Sequence, residues 1–71
     1  MTDGFRNEKV TYEIVDHIGV AGKKEINLVS WNDKPAKIDI REWAGGVPRK
    51  GITLTEEEAQ ELYEVLKGRY E

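Results

Sequence analysis

The segment Lys37-Ile38-Asp39-Ile40-Arg41-Glu42-Trp43 restricts the fold more than any other part of the chain. Its apolar residues recur at every second position, which is the period of a strand, where successive side chains point to opposite faces. Ile38 and Ile40 point one way, and Lys37, Asp39, Arg41 and Trp43 point the other. One apolar face set against a face with two cations and an indole describes a sheet packed on a core behind and charged in front. Such a front suits nucleic acid, and it equally describes an ordinary solvated sheet face.

Two further segments share this period. From Val10 to Val20, one parity collects Val10, Tyr12, Ile14, Ile18 and Val20, with Asp16 interrupting the apolar set; the other collects Thr11, Glu13, Val15, His17 and Gly19. Lys24 to Asn32 sets Ile26, Leu28 and Ser30 against Asn27, Val29 and Trp31. β-branched and aromatic residues are frequent in both. Turn formers separate the strands at Ala21-Gly22-Lys23 and Asn32-Asp33-Lys34-Pro35. The third strand then runs from Ala36 to Trp43. Ala44-Gly45-Gly46-Val47-Pro48 reads as a flexible connection to a short fourth strand, roughly Arg49 to Leu54.

Thr55 starts a helix. It is a good N-cap with Glu58 three residues on, the capping-box spacing, and Glu56, Glu57 and Glu58 lie at the positive end of the helix dipole. Ala59, Leu62, Tyr63, Leu66 and Tyr70 recur at steps of three and four and make an apolar stripe; Gly68 weakens the last turn. The order predicts an α+β fold, ββββα, with the helix on one face of a four-stranded antiparallel sheet. Residues 10–71 are read as one domain and residues 1–9, with Phe5, as a flexible tail.

A chain of 71 residues holds only a small core. It has no cysteine and a single histidine, His17, so disulfides and a zinc site are excluded as staples. Oligomerisation is the favoured route to stability. No apolar run approaches the ~18–20 residues of a membrane span, and the first residues lack the apolar middle of a signal peptide. A soluble, cytoplasmic protein is expected. The net charge is −3, but it is unevenly spread. Six acids stand against two bases from Thr55 to Glu71, and seven bases against four acids from Lys23 to Lys50, giving −4 and +3. The local field decides where an anion docks.

The usual signatures of catalysis are missing. Ser30 is the one serine and has no G-x-S-x-G around it, and Ala44-Gly45-Gly46 is not followed by the Lys-Ser/Thr of a phosphate loop. Asp39 and Glu42 fall on opposite strand faces and do not make an acid/base pair. Neither an enzyme nor a cofactor is expected.

Binding is better supported. Single-stranded nucleic acid is held by cations along its backbone and by aromatic rings under its bases. Lys37 and Arg41 share a strand face with Trp43, Trp31 stands on the neighbouring strand, and Lys24, Lys34, Arg49 and Lys50 flank the strands. Plainer readings remain open. Lys37 and Arg41 flank Asp39 and can pair with it or with Glu13. Trp31 and Trp43 can anchor a sheet edge or an interface, His17 can be a solvent-facing strand residue, and Glu56 to Glu58 can be caps alone. The helix stripe is core or dimer contact.

The run Ile38-Asp39-Ile40-Arg41-Glu42, followed by Arg49-Lys50-Gly51-Ile52-Thr53-Leu54 and an acidic helix start, resembles the positive cofactor four family of transcriptional coactivators. The hairpin Val29-Ser30-Trp31-Asn32-Asp33 and the short length look most like its compact bacterial YdbC-type branch. The resemblance covers about residues 20 to 67. It implies a homodimer whose two sheets form one curved surface for single-stranded DNA, with little sequence preference, in transcription or genome maintenance. Arg41 matches the family's strand arginine, and Arg49 and Lys50 match its basic pair before the last strand. Trp43-Ala44 stands where the coactivators have Tyr-Trp, the hairpin between the second and third strands is shorter, and their Ser- and Lys-rich arm is absent. The expected nucleic-acid contacts are Lys24, Trp31, Lys34, Lys37, Arg41, Trp43, Arg49 and Lys50. The expected dimer contacts are Leu62, Tyr63, Leu66 and Tyr70. RNA, the transcription machinery or another protein are the alternative partners.

Overall fold

Four strands are followed by one helix, in the order expected: β1 (Tyr12–Ala21), β2 (Lys24–Trp31), β3 (Lys37–Ala44), β4 (Val47–Leu54) and α1 (Glu56–Tyr70). The computed structural model describes residues 11–71. The expectations for residues 1–9, Phe5 and Val10 lie outside them. The strands form one antiparallel sheet in the order β1-β2-β3-β4, with β1 and β4 at its edges.

Local chemistry sets the turns. Asn32 and Asp33 take left-handed φ values of 51° and 64°, and the Lys34 N–H donates to the Trp31 carbonyl at 2.9 Å. Asn and Asp tolerate that region better than other side chains. The β3–β4 connection differs from the expected five-residue loop. Gly45 and Gly46 both have positive φ, 60° and 78°, as a tight type I′ turn requires. The strands therefore run on to Ala44 and restart at Val47, two residues before the expected Arg49. Pro48 is tolerated inside β4 because an edge strand leaves one side of its backbone unpaired.

Two bulges reshape β1. Ile14 pairs with Val29 and Asp16 with Leu28, leaving Val15 extra; His17 pairs with Asn27 and Gly19 with Ile26, leaving Ile18 extra. Each extra residue reverses the alternation, so simple parity fails there. Tyr12, Ile14 and His17 share one side of the sheet, while Asp16 moves to the other. Bulges also increase twist. The sheet coils until Tyr12, on one edge, donates its hydroxyl to the Gly46 carbonyl in the β3–β4 turn at 3.3 Å.

This coiling determines which face is buried. Val29 is the fully buried apolar residue among those described, with Asn27 and Asp39 beside it at 1% exposure each. All three lie on the concave side. Ile26, Leu28, Ile38, Ile40 and Leu54, on the convex side, are only half-buried. The expected arrangement of an isoleucine-lined core and a solvated charged front is thus reversed within this chain. The physical reason is twofold: the coil wraps the mixed face inward, and the helix does not cover the apolar one.

Thr55 caps α1 as its spacing predicts. The Glu58 N–H donates to the Thr55 hydroxyl at 3.1 Å, and the Thr55 N–H donates to the Glu58 carboxylate at 2.9 Å. Beyond Ala59, which is half-buried, every helix residue is exposed. The described residues extend 49 Å in their longest dimension. That is about an eight-residue strand (~26 Å) and a fifteen-residue helix (~22 Å) end to end. The helix projects from the sheet where the sequence predicts that it lies on it. It is not long and apolar enough to cross a membrane.

Gly51 shows how closely β3 and β4 approach. It stands opposite Arg41, and a Cβ there would overlap the Arg41 Cβ and lie 2.5 Å from the Ile40 carbonyl oxygen. Neither neighbour is a flexible side-chain tip. Gly51→Ala should therefore lower stability by about 1–3 kcal/mol, the cost of overpacking. A urea midpoint equal to that of the parent chain would show that the two strands are further apart in solution.

Candidate nucleic-acid interface

The concave side gathers an aromatic and charged cluster from three strands. The Tyr12 ring lies 5.4 Å from Trp31 and 5.4 Å from Trp43, tilted to both. Both indole Nε1 atoms are buried without a hydrogen-bond partner among the described residues, which costs on the order of 1–3 kcal/mol each. Packing, not hydrogen bonding, holds these rings.

Arg41 is the centre of the polar part. Its Nε–H donates to both carboxylate oxygens of Asp39, at 2.6 Å to Oδ2. Its Nη1–H donates to the Arg49 carbonyl at 2.7 Å. The guanidinium carbon lies 4.8 Å from the centre of the Trp31 ring, within cation–π range. The Arg41 side chain is 15% exposed and that of Asp39 is 1% exposed. Of the pairings left open by the sequence, Asp39 is the partner of Arg41. A second polar chain runs alongside: His17 Nδ1 lies 2.6 Å from the Asn27 side-chain oxygen, and the Asn27 amide is 3.4 Å from Glu25. His17 is exposed, as its strand position predicts, yet it satisfies a buried partner.

A groove of about 320 Å³ opens beside this cluster, lined by Trp31, Lys34, Pro35, Lys37, Arg41 and Thr53. Four of the expected contacts meet there: Trp31, Lys34, Lys37 and Arg41. Lys34 is held at the rim by its backbone. Its N–H is bonded to Trp31, and its carbonyl accepts the Ser30 hydroxyl at 2.7 Å. Asn32 ties this turn to β1 through the Thr11 carbonyl at 2.8 Å and the Thr11 N–H at 3.0 Å.

The other expected contacts are placed elsewhere. Trp43 packs on Tyr12 and does not line the groove. Arg49 and Lys50 form a bulge opposite Glu42, both exposed, and adjoin the groove through the Arg49 carbonyl. Lys24 shares its side of the sheet with Glu42, 3.7 Å from its carboxylate, and this is the convex side. Strand parity already separates Lys24 from Trp31, since one is even and the other odd. Thr53 and Pro35 were missed. Counting β4 back from Leu54, which pairs with Ile38, puts Thr53 opposite Asp39. Among the described residues no three His, Asp or Glu side chains gather as a metal would need.

A family model described as Transcriptional Coactivator p15 (PC4) matches residues 20–65, which contain β2, β3, β4 and the first part of the helix. The chain belongs to this family. The PC4 match includes every residue lining the groove. An uncharacterized protein of Treponema pallidum (strain Nichols) is 32% identical over 73 residues, covering 92% of this chain and 86% of that one. The PC4 family binds single-stranded DNA and is not a family of enzymes. The fold it implies, four antiparallel strands and a C-terminal helix, is the one described above.

Proposed function

We propose that this protein binds single-stranded DNA with little sequence preference, as a homodimer, in transcriptional coactivation or genome maintenance in the cytoplasm or nucleoid. The observation that carries this reading is the groove. It brings an indole and three cationic side chains from β2, β3 and their connecting turn to one place on the concave side. Cations take the phosphates, and rings accept any base because every base has a π-face. The helix supports the dimer. Leu62, Tyr63, Leu66 and Tyr70 are all exposed in the single chain, and one fully buried apolar side chain among the described residues is a thin core for a domain of this size.

The test is titration with oligothymidine, followed by tryptophan fluorescence at two or more salt concentrations. Asp39 compensates Arg41, and Lys24 faces away. Arg49 and Lys50 stand opposite Glu42, on the side of Lys24. Lys34 and Lys37 of each copy remain on the groove side, so for two copies the slope of log affinity against log salt should be about −3, from about −0.7 per phosphate. A flat salt response, or no binding at low salt, would overturn the reading. Competition with the matched RNA oligomer separates the RNA alternative, since nothing in the groove is assigned to a 2′-hydroxyl.

A further inference from the structure

We infer that the groove is a subsite for a single nucleobase, in which the Arg41 guanidinium forms part of the stacking surface and does not act as a phosphate ligand, with Asp39 as its positioning residue. The inference rests on the single-stranded-DNA reading and specifies how that site works.

The volume comes first. About 320 Å³ lies at the small end of ligand sites, ~300–1,000 Å³, so the groove takes one nucleotide and not a run of them. The hydrogen bonds of Arg41 come next. An arginine grips phosphate with two adjacent N–H groups in a fork. Here Asp39 occupies the Nε edge, and the Arg49 carbonyl takes an Nη1 proton. The Asp39 carboxylate also cancels the charge that would draw a phosphate. The Nε edge of the fork is closed; what remains for a ligand is the planar face, the Nη2 protons and the second Nη1 proton, on a cation already balanced by Asp39. Guanidinium planes, like aromatic rings, stack on unpaired bases. Trp31 lies against the same guanidinium and also lines the groove, so ring and cation make a continuous apolar and cationic wall. Lys34 and Lys37 are exposed at the rim, where compact point charges suit the phosphates on either side of the bound base. Thr53 lines the groove as well.

Asp39 therefore has a role that its charge alone would not predict. An acid beside a DNA site ordinarily weakens binding; this one fixes the orientation of Arg41 from a position at 1% exposure.

The experiment uses the full-length protein and two oligomers of equal length and charge, oligothymidine and an abasic deoxyribose-phosphate chain. In nitrogen-15 spectra, the Arg41 Nε–Hε signal should move upfield with oligothymidine, through the ring current of the stacked base, and stay in place with the abasic chain. Equal movement with both oligomers would make Arg41 a phosphate ligand and overturn the inference. So would no movement with oligothymidine that binds. Failure of both oligomers to bind would overturn the single-stranded-DNA reading itself. In Asp39→Asn the guanidinium loses its counter-charge. The salt slope should then steepen by about 0.7 per copy, and the preference for oligothymidine over the abasic chain should shrink about tenfold. An unchanged slope with an unchanged preference would remove Asp39 from its positioning role. Should that variant not fold, the spectra of the unaltered protein still decide the role of Arg41.

Discussion

Replacing Asp39 by alanine should lower the stability of the fold by about 3–5 kcal/mol, the range for removing one partner of a buried ion pair. The pair is enclosed by the coiled sheet, with side chains 1% and 15% exposed. Alanine would leave the Arg41 guanidinium among Trp31 and the Arg49 backbone without its counter-charge. Domains have only ~0.05–0.15 kcal/mol of stability per residue, about 4–11 kcal/mol for 71 residues, so the variant should lose roughly half of its stability and unfold at a much lower denaturant concentration. Chemical denaturation measured by tryptophan fluorescence would check this. A double variant, Asp39→Leu with Arg41→Met, should recover much of the loss, because apolar replacement of a buried pair is often neutral. If Asp39→Ala costs less than about 1 kcal/mol, the pair behaves as an exposed one, and the concave side is open to water.

The same pair shows how far the sequence can be read. Alternation in residues 37–43 separates Ile38 and Ile40 from Lys37, Asp39, Arg41 and Trp43, and the register confirms it: Ile38 pairs with Leu28 and Leu54, and Asp39 with Asn27 and Thr53. Such patterns are local, as are the Asn32-Asp33 turn and the capping box of Thr55 and Glu58. What the alternation does not reveal is which face is buried. That depends on the coil, and the coil depends on the extra residues Val15 and Ile18 and on the bond from Tyr12 to Gly46, thirty-four residues apart. The fate of Arg41 follows from the same long-range geometry. Its partner Asp39 is two residues away on the same strand, but Trp31 and the Arg49 carbonyl reach it only across the sheet. The groove was therefore legible as a set of residue types, with Trp31, Lys34, Lys37 and Arg41 all named. The setting apart of Trp43 and the division of labour between Arg41 and the lysines were not.

Leu62→Glu combined with Leu66→Glu should abolish the proposed dimer. These two residues are one turn apart on the stripe, and in the single chain they are 37% and 44% exposed. Tyr63 and Tyr70 lie near cations of their own helix, Lys67 at 5.7 Å and Arg69 at 5.6 Å, so the leucines carry the drier contact. Burying a leucine is worth about 1.5–3 kcal/mol. About two-fifths of each side chain is still exposed, so two leucines from each of two copies would contribute about 2–5 kcal/mol on that scale, a large share of the ~8 kcal/mol that holds a micromolar complex. Four glutamates in one seam also repel each other. The double variant should sediment as a monomer at tens of micromolar and lose helical circular dichroism, because an isolated helix of fifteen residues is marginal in water. Val65→Glu is the control. Val65 is 71% exposed and lies roughly a third of a turn from the stripe, so its variant should remain dimeric. A parent chain that sediments as a monomer with an intact helix would sink the dimer. It would also require the small concave core, with Val29 at its centre, to hold both sheet and projecting helix alone. Loss of the dimer with loss of the helix, and with Val65→Glu unaffected, would instead place the missing apolar burial between two copies of α1.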